Sequence, residues 1–194
     1  MGTEKPNSVK NRIVSTAWKL FYEKGYNETT VDEIIEQSDT SKGSFYYYFK
    51  TKDELLHSLA EVLDDFYEEL DASIPYEQNS YEKLLILNYE AHKLIEEKIN
   101  MDILASMYST QLVSTGDKCL LDESRTYFKL ISRIIKNGQA DGELTTDLSV
   151  EEIAHYYAMC ERALVSDWCL SRGKVSLAEI SKKYMPIMLA SIKK

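Results

Sequence analysis

Apolar positions along this chain recur three and four residues apart almost from end to end, the spacing of one face of an α-helix. Val9, Ile13, Ala17, Leu20 and Phe21 make the first such stripe, and Gly25 marks its stop. Four S/T-x-x-E pairs then announce helix starts: Thr30 with Glu33, Thr51 with Glu54, Ser149 with Glu152, and Ser176 with Glu179. In each, the hydroxyl can accept from the third amide of the helix while the glutamate reaches back to the cap amide. After Thr51, Leu55, Leu59, Val62, Leu63, Phe66 and Leu70 form a stripe, with Glu61, Asp64, Asp65, Glu68 and Glu69 on the opposite face. Further runs cover about 79–98, 102–113, 119–140, 150–171 and 176–192. No stretch alternates with period two, so the chain reads as all-α with about nine helices.

Only seven Gly and three Pro interrupt these runs. The likeliest loops are 73–80, SIPYEQNS, and 114–118, STGDK. Pro186 falls inside the last run, where its ring removes an amide and is expected to kink the helix. KTKDEL, following Phe49, is too short for a flexible linker and runs straight into a capped helix. The predicted division is therefore a domain over 1–50 joined rigidly to one over 51–194.

Charge divides at the same place. The net charge of −9 argues against generic nucleic-acid binding, but residues 1–52 hold eight Lys/Arg against seven Asp/Glu. The deficit lies beyond them, so the first quarter is the part a phosphate backbone would tolerate. Residues 30–38 form a short helix with Val31, Ile34 and Ile35 inward. Ser38, Asp39 and Thr40 make a turn, and Ser41 caps a second short helix running to about Phe49. Two short helices joined in this way form a helix-turn-helix, whose second helix enters the major groove.

SKGSFYYYFKTKDEL, residues 41–55, carries the chemistry. Phe45 and Phe49, four apart, supply a buried face, which leaves Tyr46, Tyr47 and Tyr48 to project elsewhere. Gly43 in the first turn costs about 1 kcal/mol of helix propensity, and close approach of a groove would account for it. Lys42 can donate to guanine O6 and N7. The tyrosine hydroxyls and Lys52 suit phosphate oxygens, as do amides at the Thr30 helix start.

Other chemistries find little support. His57, His92 and His155 stand apart with no HExxH, and GxSxG, P-loop and GxGxxG motifs are all missing, so no enzyme, metal or cofactor site is predicted. Cys119, Cys160 and Cys169 lack ligand spacing and fit a reducing compartment; the nine residues between the last two put them on opposite sides of a helix. The polar start MGTEKPNSVKNR has no signal core, and Gly2 alone does not make a myristoylation site. A cytoplasmic protein is expected.

The stretch AWKLFYEKGYNETTVDEIIEQSDTSKGSFYYYFKTKDEL closely resembles the N-terminal domain of the TetR (tetracycline-repressor-like) transcriptional regulators. Its SKG-xx-YYxFK-x-K core is most similar to that of the multidrug-sensing members. The resemblance implies base contacts from Lys42 and Gly43. It implies phosphate contacts from Thr30, Ser41, Ser44, Tyr46, Tyr47, Tyr48 and Lys52. The turn departs from the family's usual Ala-Gly-Val, although aspartate at 39 tolerates a left-handed backbone. Its negative charge near DNA is unhelpful. Tyr48 stands where many relatives carry histidine and keeps a donor.

Beyond residue 60 the resemblance lies in helix count, helix lengths and the DGEL turn at 141–144. The family implies a small-molecule pocket and a homodimer built by the last two helices. VEEIAHYYAMCERALVSDWCLS, residues 150–171, is apolar nearly all round and needs cover on more than one side. The expected dimer residues are Ile153, Tyr157, Leu164, Leu177, Ile180, Tyr184, Ile187 and Met188. The expected pocket residues are Phe66, Tyr89, His92, Met107, Tyr108, Tyr127, Tyr156, Met159 and Trp168. Glu90, Glu161 and Asp167, flanked by apolar residues, are the acids to inspect for a cation preference. The function implied is a repressor that binds a pseudo-palindromic operator as a dimer and is released by an inducer. The alternative is a helical interaction module that has lost DNA binding.

Overall fold

A computed structural model describes residues 8–74, 77–113, 115 and 118–194 of the protein. The N-terminal stretch to residue 7, parts of both expected loops, and the side chains of Leu59, Glu61 and Val62 from the predicted stripe lie outside the described residues. Nine α-helices run through the rest: α1 (Val9–Lys24), α2 (Val31–Gln37), α3 (Lys42–Tyr48), α4 (Asp53–Ser73), α5 (Ser80–Lys98), α6 (Met101–Val113), α7 (Thr126–Ala140), α8 (Val150–Leu170) and α9 (Leu177–Met188). Among the described residues, no helix is long and apolar enough to cross a membrane.

The chain forms two compact units. The first comprises Met1–Glu61 with Asp102–Asp117, and the second Val62–Met101 with Lys118–Lys194. α4 therefore contributes its first turns to one unit and its remainder to the other, and α6 joins the helix-turn-helix unit.

In the first unit, α1 buries Ile13, Ala17, Leu20 and Phe21, the residues its spacing selects. Ser8 caps its start, and Gly25 stops it at φ 92°, where any side chain would strain. Phe45 is fully buried and pins α3, with the Phe49 ring 5.9 Å away. Arg12 reaches from α1 to the carbonyls of Ser38 and Asp39, both at 3.4 Å. The turn between α2 and α3 is thus held from behind, and Asp39 adopts φ 49° in it.

In the second unit, α5 packs on α7 and α9, and α8 packs on the same two helices. Gly138 lets α7 cross the start of α5: a Cβ there would sit 2.6 Å from the Ser80 Cβ. The DGEL turn binds the end of the chain, with the Thr145 amide donating to Ile192 O and the Lys194 amide to Glu143 O.

Three expectations need correction. The run 119–140 is not one helix, because Asp122 accepts from the amide and hydroxyl of Ser124 and makes a turn before α7 begins at Thr126. α9 continues through Pro186 but ends two residues later in a 3-10 turn, Leu189–Ile192. Of the four capping boxes, those of Thr30 and Ser149 form in full. Glu54 instead takes the Lys50 amide, and Ser176 donates to Glu96 of α5.

Candidate nucleic-acid interface and buried polar core

α3 is only two turns long and is poor in helix formers, so its position depends on Phe45 and on its cap. Ser41 supplies the cap, accepting from the Ser44 amide at 3.0 Å and sharing a 2.9 Å hydroxyl contact with Ser44. With Phe45 inward, Tyr46, Tyr47 and Tyr48 point out at 47, 82 and 38% exposure. Lys42 is exposed and only loosely tied, 3.6 Å from Asp32 of α2. Gly43 is exposed and helical, and a Cβ on it would meet nothing closer than the Ser41 hydroxyl at 3.8 Å. The fold gives no reason for a glycine there.

Two predicted contacts have prior engagements. Thr30 gives its amide and hydroxyl to Glu33, each at 2.9 Å, so that amide is not free for a phosphate. The Lys24 ammonium and the Thr30 donors hold the Glu33 carboxyl down at about 2. Lys52 donates to Tyr26 O and Thr29 O at 2.7 and 2.8 Å and lies over the Tyr26 ring. Burial lowers its pKa. It is first a brace for the loop before α2, with one N–H left to give outward.

The second unit holds polar groups where its helix pattern promises core. Glu161 of α8 is buried and accepts from Asn88 Nδ2 of α5 at 2.9 Å and from the Tyr127 hydroxyl of α7. Burial pushes its carboxyl up to about 7, against the pull of those two donors. Burial also raises the phenols of Tyr127 and Tyr157 well above their usual value. Tyr157 donates to Leu84 O at 2.9 Å, whereas Asn88 Oδ1 and Trp168 Nε1 are buried with no partner among the described residues. His92 bonds Ser181 of α9 and is held neutral by burial, its pKa driven down to about 3. At the other end of Tyr127, its amide donates to Asp64 of α4 at 3.2 Å, and Arg125 grips the same carboxylate through two 3.0 Å bonds.

The pocket candidates divide accordingly. His92, Tyr127 and Trp168 are buried in the second unit, with Phe66, Tyr89 and Tyr156 half-buried there. Met107 and Tyr108 belong to the first unit. Met159 is 46% exposed and lines no interior. Of the acids, only Glu161 is buried; Glu90 is half-buried and Asp167 exposed. Asn88 was missed, although a polar residue midway between Leu84 and His92 at i+4 spacing was its signal.

The dimer candidates divide as well. Ile153, Tyr157, Leu164 and Leu177 are buried within their own chain, while Ile180 and Met188 are half-buried and Tyr184 and Ile187 exposed. The outward face of α8 is instead His155, Met159 and Ala163, four residues apart. A helix apolar all round does not declare which side faces home. A charged cleft of about 520 Å³ also opens beside the start of α5, lined in part by Asp71, Lys83, Arg133 and Glu143. Its walls do not suit an apolar ligand.

The chain is 22% identical over 182 residues to the fatty acid metabolism regulator protein of Bacillus subtilis, covering 93% of this chain and 94% of that one. It is 39% identical over 62 residues to the HTH-type transcriptional regulator QacR of Staphylococcus aureus, about a third of each chain. Its fold matches that of Thermus thermophilus FadR, a TetR-family transcriptional repressor in complex with lauroyl-CoA, at TM-score 0.73 and 23% identity over 94% of both chains. Residues 13–59 match the model of bacterial regulatory proteins of the tetR family. Residues 59–191, more than half of the chain, match that of the YsiA-like protein C-terminal region, and the protein belongs to the TetR family of transcriptional regulators.

Proposed function

We propose that this regulator is a cytoplasmic repressor that binds a pseudo-palindromic operator as a homodimer and lets go when a small molecule enters its second unit. The observation that carries the DNA half is Gly43. It weakens a helix that can least bear it and is required by nothing in the chain, whereas a base edge or phosphate against α3 needs the space a side chain would fill. Lys42 then reads bases, and Ser41, Ser44 and the three tyrosines fix the register on phosphates. The remaining N–H of Lys52 adds to them.

The dimer forms through the outward faces of α8 and α9, with His155, Met159, Ile180, Tyr184, Ile187 and Met188 meeting their two-fold copies. Effector binding favours a dimer whose two α3 helices no longer fit successive major grooves. Because Thermus thermophilus FadR is seen with lauroyl-CoA, acyl thioesters are the first effectors to titrate.

Selection from random double-stranded DNA, with the winner titrated by fluorescence anisotropy across a salt series, tests the reading. A palindrome should emerge, with log K falling steeply against log salt. No enrichment at low salt by the folded, ligand-free protein would overturn it.

A further inference from the structure

Glu161 and Asn88 set two acceptors face to face with the interior of the second unit, and their hydrogen bonds do not close. Asn88 gives its amide N–H to Glu161, and Tyr127 gives its hydroxyl. Tyr157, which also acts on Glu161, gives its hydroxyl to Leu84 O at 2.9 Å. Asn88 Oδ1 is left with no donor on a residue that is 0% exposed. Exchanging the amide's oxygen and nitrogen would turn a carbonyl toward Glu161 and forfeit the bond between them whenever that carboxyl is ionised. A leucine at 88 would continue the Leu84 stripe and remove the orphan oxygen, at the cost of the bond that Asn88 gives Glu161.

The charges around the pair are one-sided. α5 contributes Asn88, α7 contributes Tyr127, and α4 contributes Tyr67, whose ring lies 5.0 Å from that of Tyr127. α8 itself adds Tyr157, Cys160 and Arg162. All but Arg162 are neutral near pH 7, and the Arg162 guanidinium donates to Leu120 O at 3.3 Å. Arg162 is the one cation that acts on Glu161 among the described residues, and it is drawn toward that carboxyl and the Leu120 carbonyl.

We propose that Glu161 and Asn88 form the polar end of the effector site, accepting hydrogen bonds from a donor-bearing head group on an otherwise apolar molecule and rejecting a free carboxylate. The inference rests on the effector reading above and narrows it. The head group is an ammonium, an amide N–H or a hydroxyl. Asn88 Oδ1 accepts from it directly, and Glu161 accepts beside it. An ammonium gains further, because it stabilises the ionised carboxylate that burial opposes, and its binding expels the proton Glu161 would otherwise hold.

Three C12 probes on the full-length protein, below their micelle concentrations, decide it: dodecylamine, dodecanol and dodecanoate, followed by calorimetry. The amine and the alcohol should bind at least tenfold tighter than dodecanoate. Amine affinity should rise about tenfold from pH 6 to pH 8 as Glu161 ionises, while alcohol affinity stays flat. Glu161→Gln should abolish that pH dependence. Asn88→Leu should bring the alcohol-to-carboxylate ratio to within twofold of unity. Thermal melts check that each variant folds, and either variant alone suffices.

Dodecanoate binding as tightly as the amine, ratios unmoved by both substitutions, or no binding by any probe would each overturn the proposal. None of these readouts uses DNA. They therefore fail independently of the operator selection that tests the repressor reading.

Discussion

α3 and α8 use the same kinds of residue in opposite directions. α3 sends tyrosines and a lysine outward and buries only Phe45, so most of its polar chemistry faces away from the chain. α8 turns Glu161 and Tyr157 inward among bonded neighbours and leaves Met159 exposed. Outward chemistry that the fold does not need points to a partner. Inward chemistry needs a hydrogen-bond account before it points anywhere, and around α8 that account fails at Asn88 Oδ1 beside Glu161 and at Trp168 Nε1.

The largest effects should fall on the two side chains that fix these directions. Phe45→Ala should cost about 3–5 kcal/mol, because a fully buried ring leaves a cavity under a two-turn helix. A urea melt would show it, and operator binding would go with it. A loss below 1 kcal/mol would mean that α3 is held by something other than this ring.

Glu161 should make stability fall as pH rises. Its folded pKa stands near 7 against an ordinary 4.5, so its contribution is fully present below 4.5 and is lost as pH rises through 7. The loss is about 3 kcal/mol by pH 8. His92 works the other way: held near 3 against 6.5, it removes stability as pH falls below 6.5. Between about pH 4.5 and 6.5 the two oppose each other, so Glu161→Gln should let the melting temperature rise with pH up to about 6.5 and should remove the fall toward pH 7. A fall unchanged in the variant would show that Glu161 is not its source.

The same contrast explains what could be read from the amino-acid order. α3 was legible because Phe45 and Phe49 at i+4 leave only one direction for three consecutive tyrosines. The left-handed Asp39 was legible from its residue type. α8 has apolar residues on every side, so periodicity could not tell Tyr157 from Met159, and half of the expected dimer face proved to be core. Glu161 stood out as an acid among apolar neighbours, but Asn88 and Tyr127 join it from 73 and 34 residues away, which no local pattern records. Lys52 fits a phosphate contact by position, and only the fold shows the two carbonyls that hold it first.

Gly43→Ala should separate stability from function within α3. Alanine is the better helix former by about 1 kcal/mol and meets no atom closer than 3.8 Å, so the melt should shift upward. Operator affinity should nevertheless fall tenfold or more. A variant that is both more stable and equally tight would remove the main reason for placing α3 against a groove.

Tyr47→Phe should have the smallest effect and the most specific one. At 82% exposure the ring carries almost no packing, so stability should stay within about 0.5 kcal/mol. The lost hydroxyl should weaken operator binding a few-fold, and equally for matched and mismatched sites, since a phosphate contact carries no sequence information. Because a phenol is neutral, its removal should leave the slope of log K against log salt unchanged. A shallower slope in Tyr47→Phe would mean that the tyrosine positions a cation. A change in base preference would move it from the backbone to the base edges, and α3 would then sit deeper in the groove than its lysine alone requires.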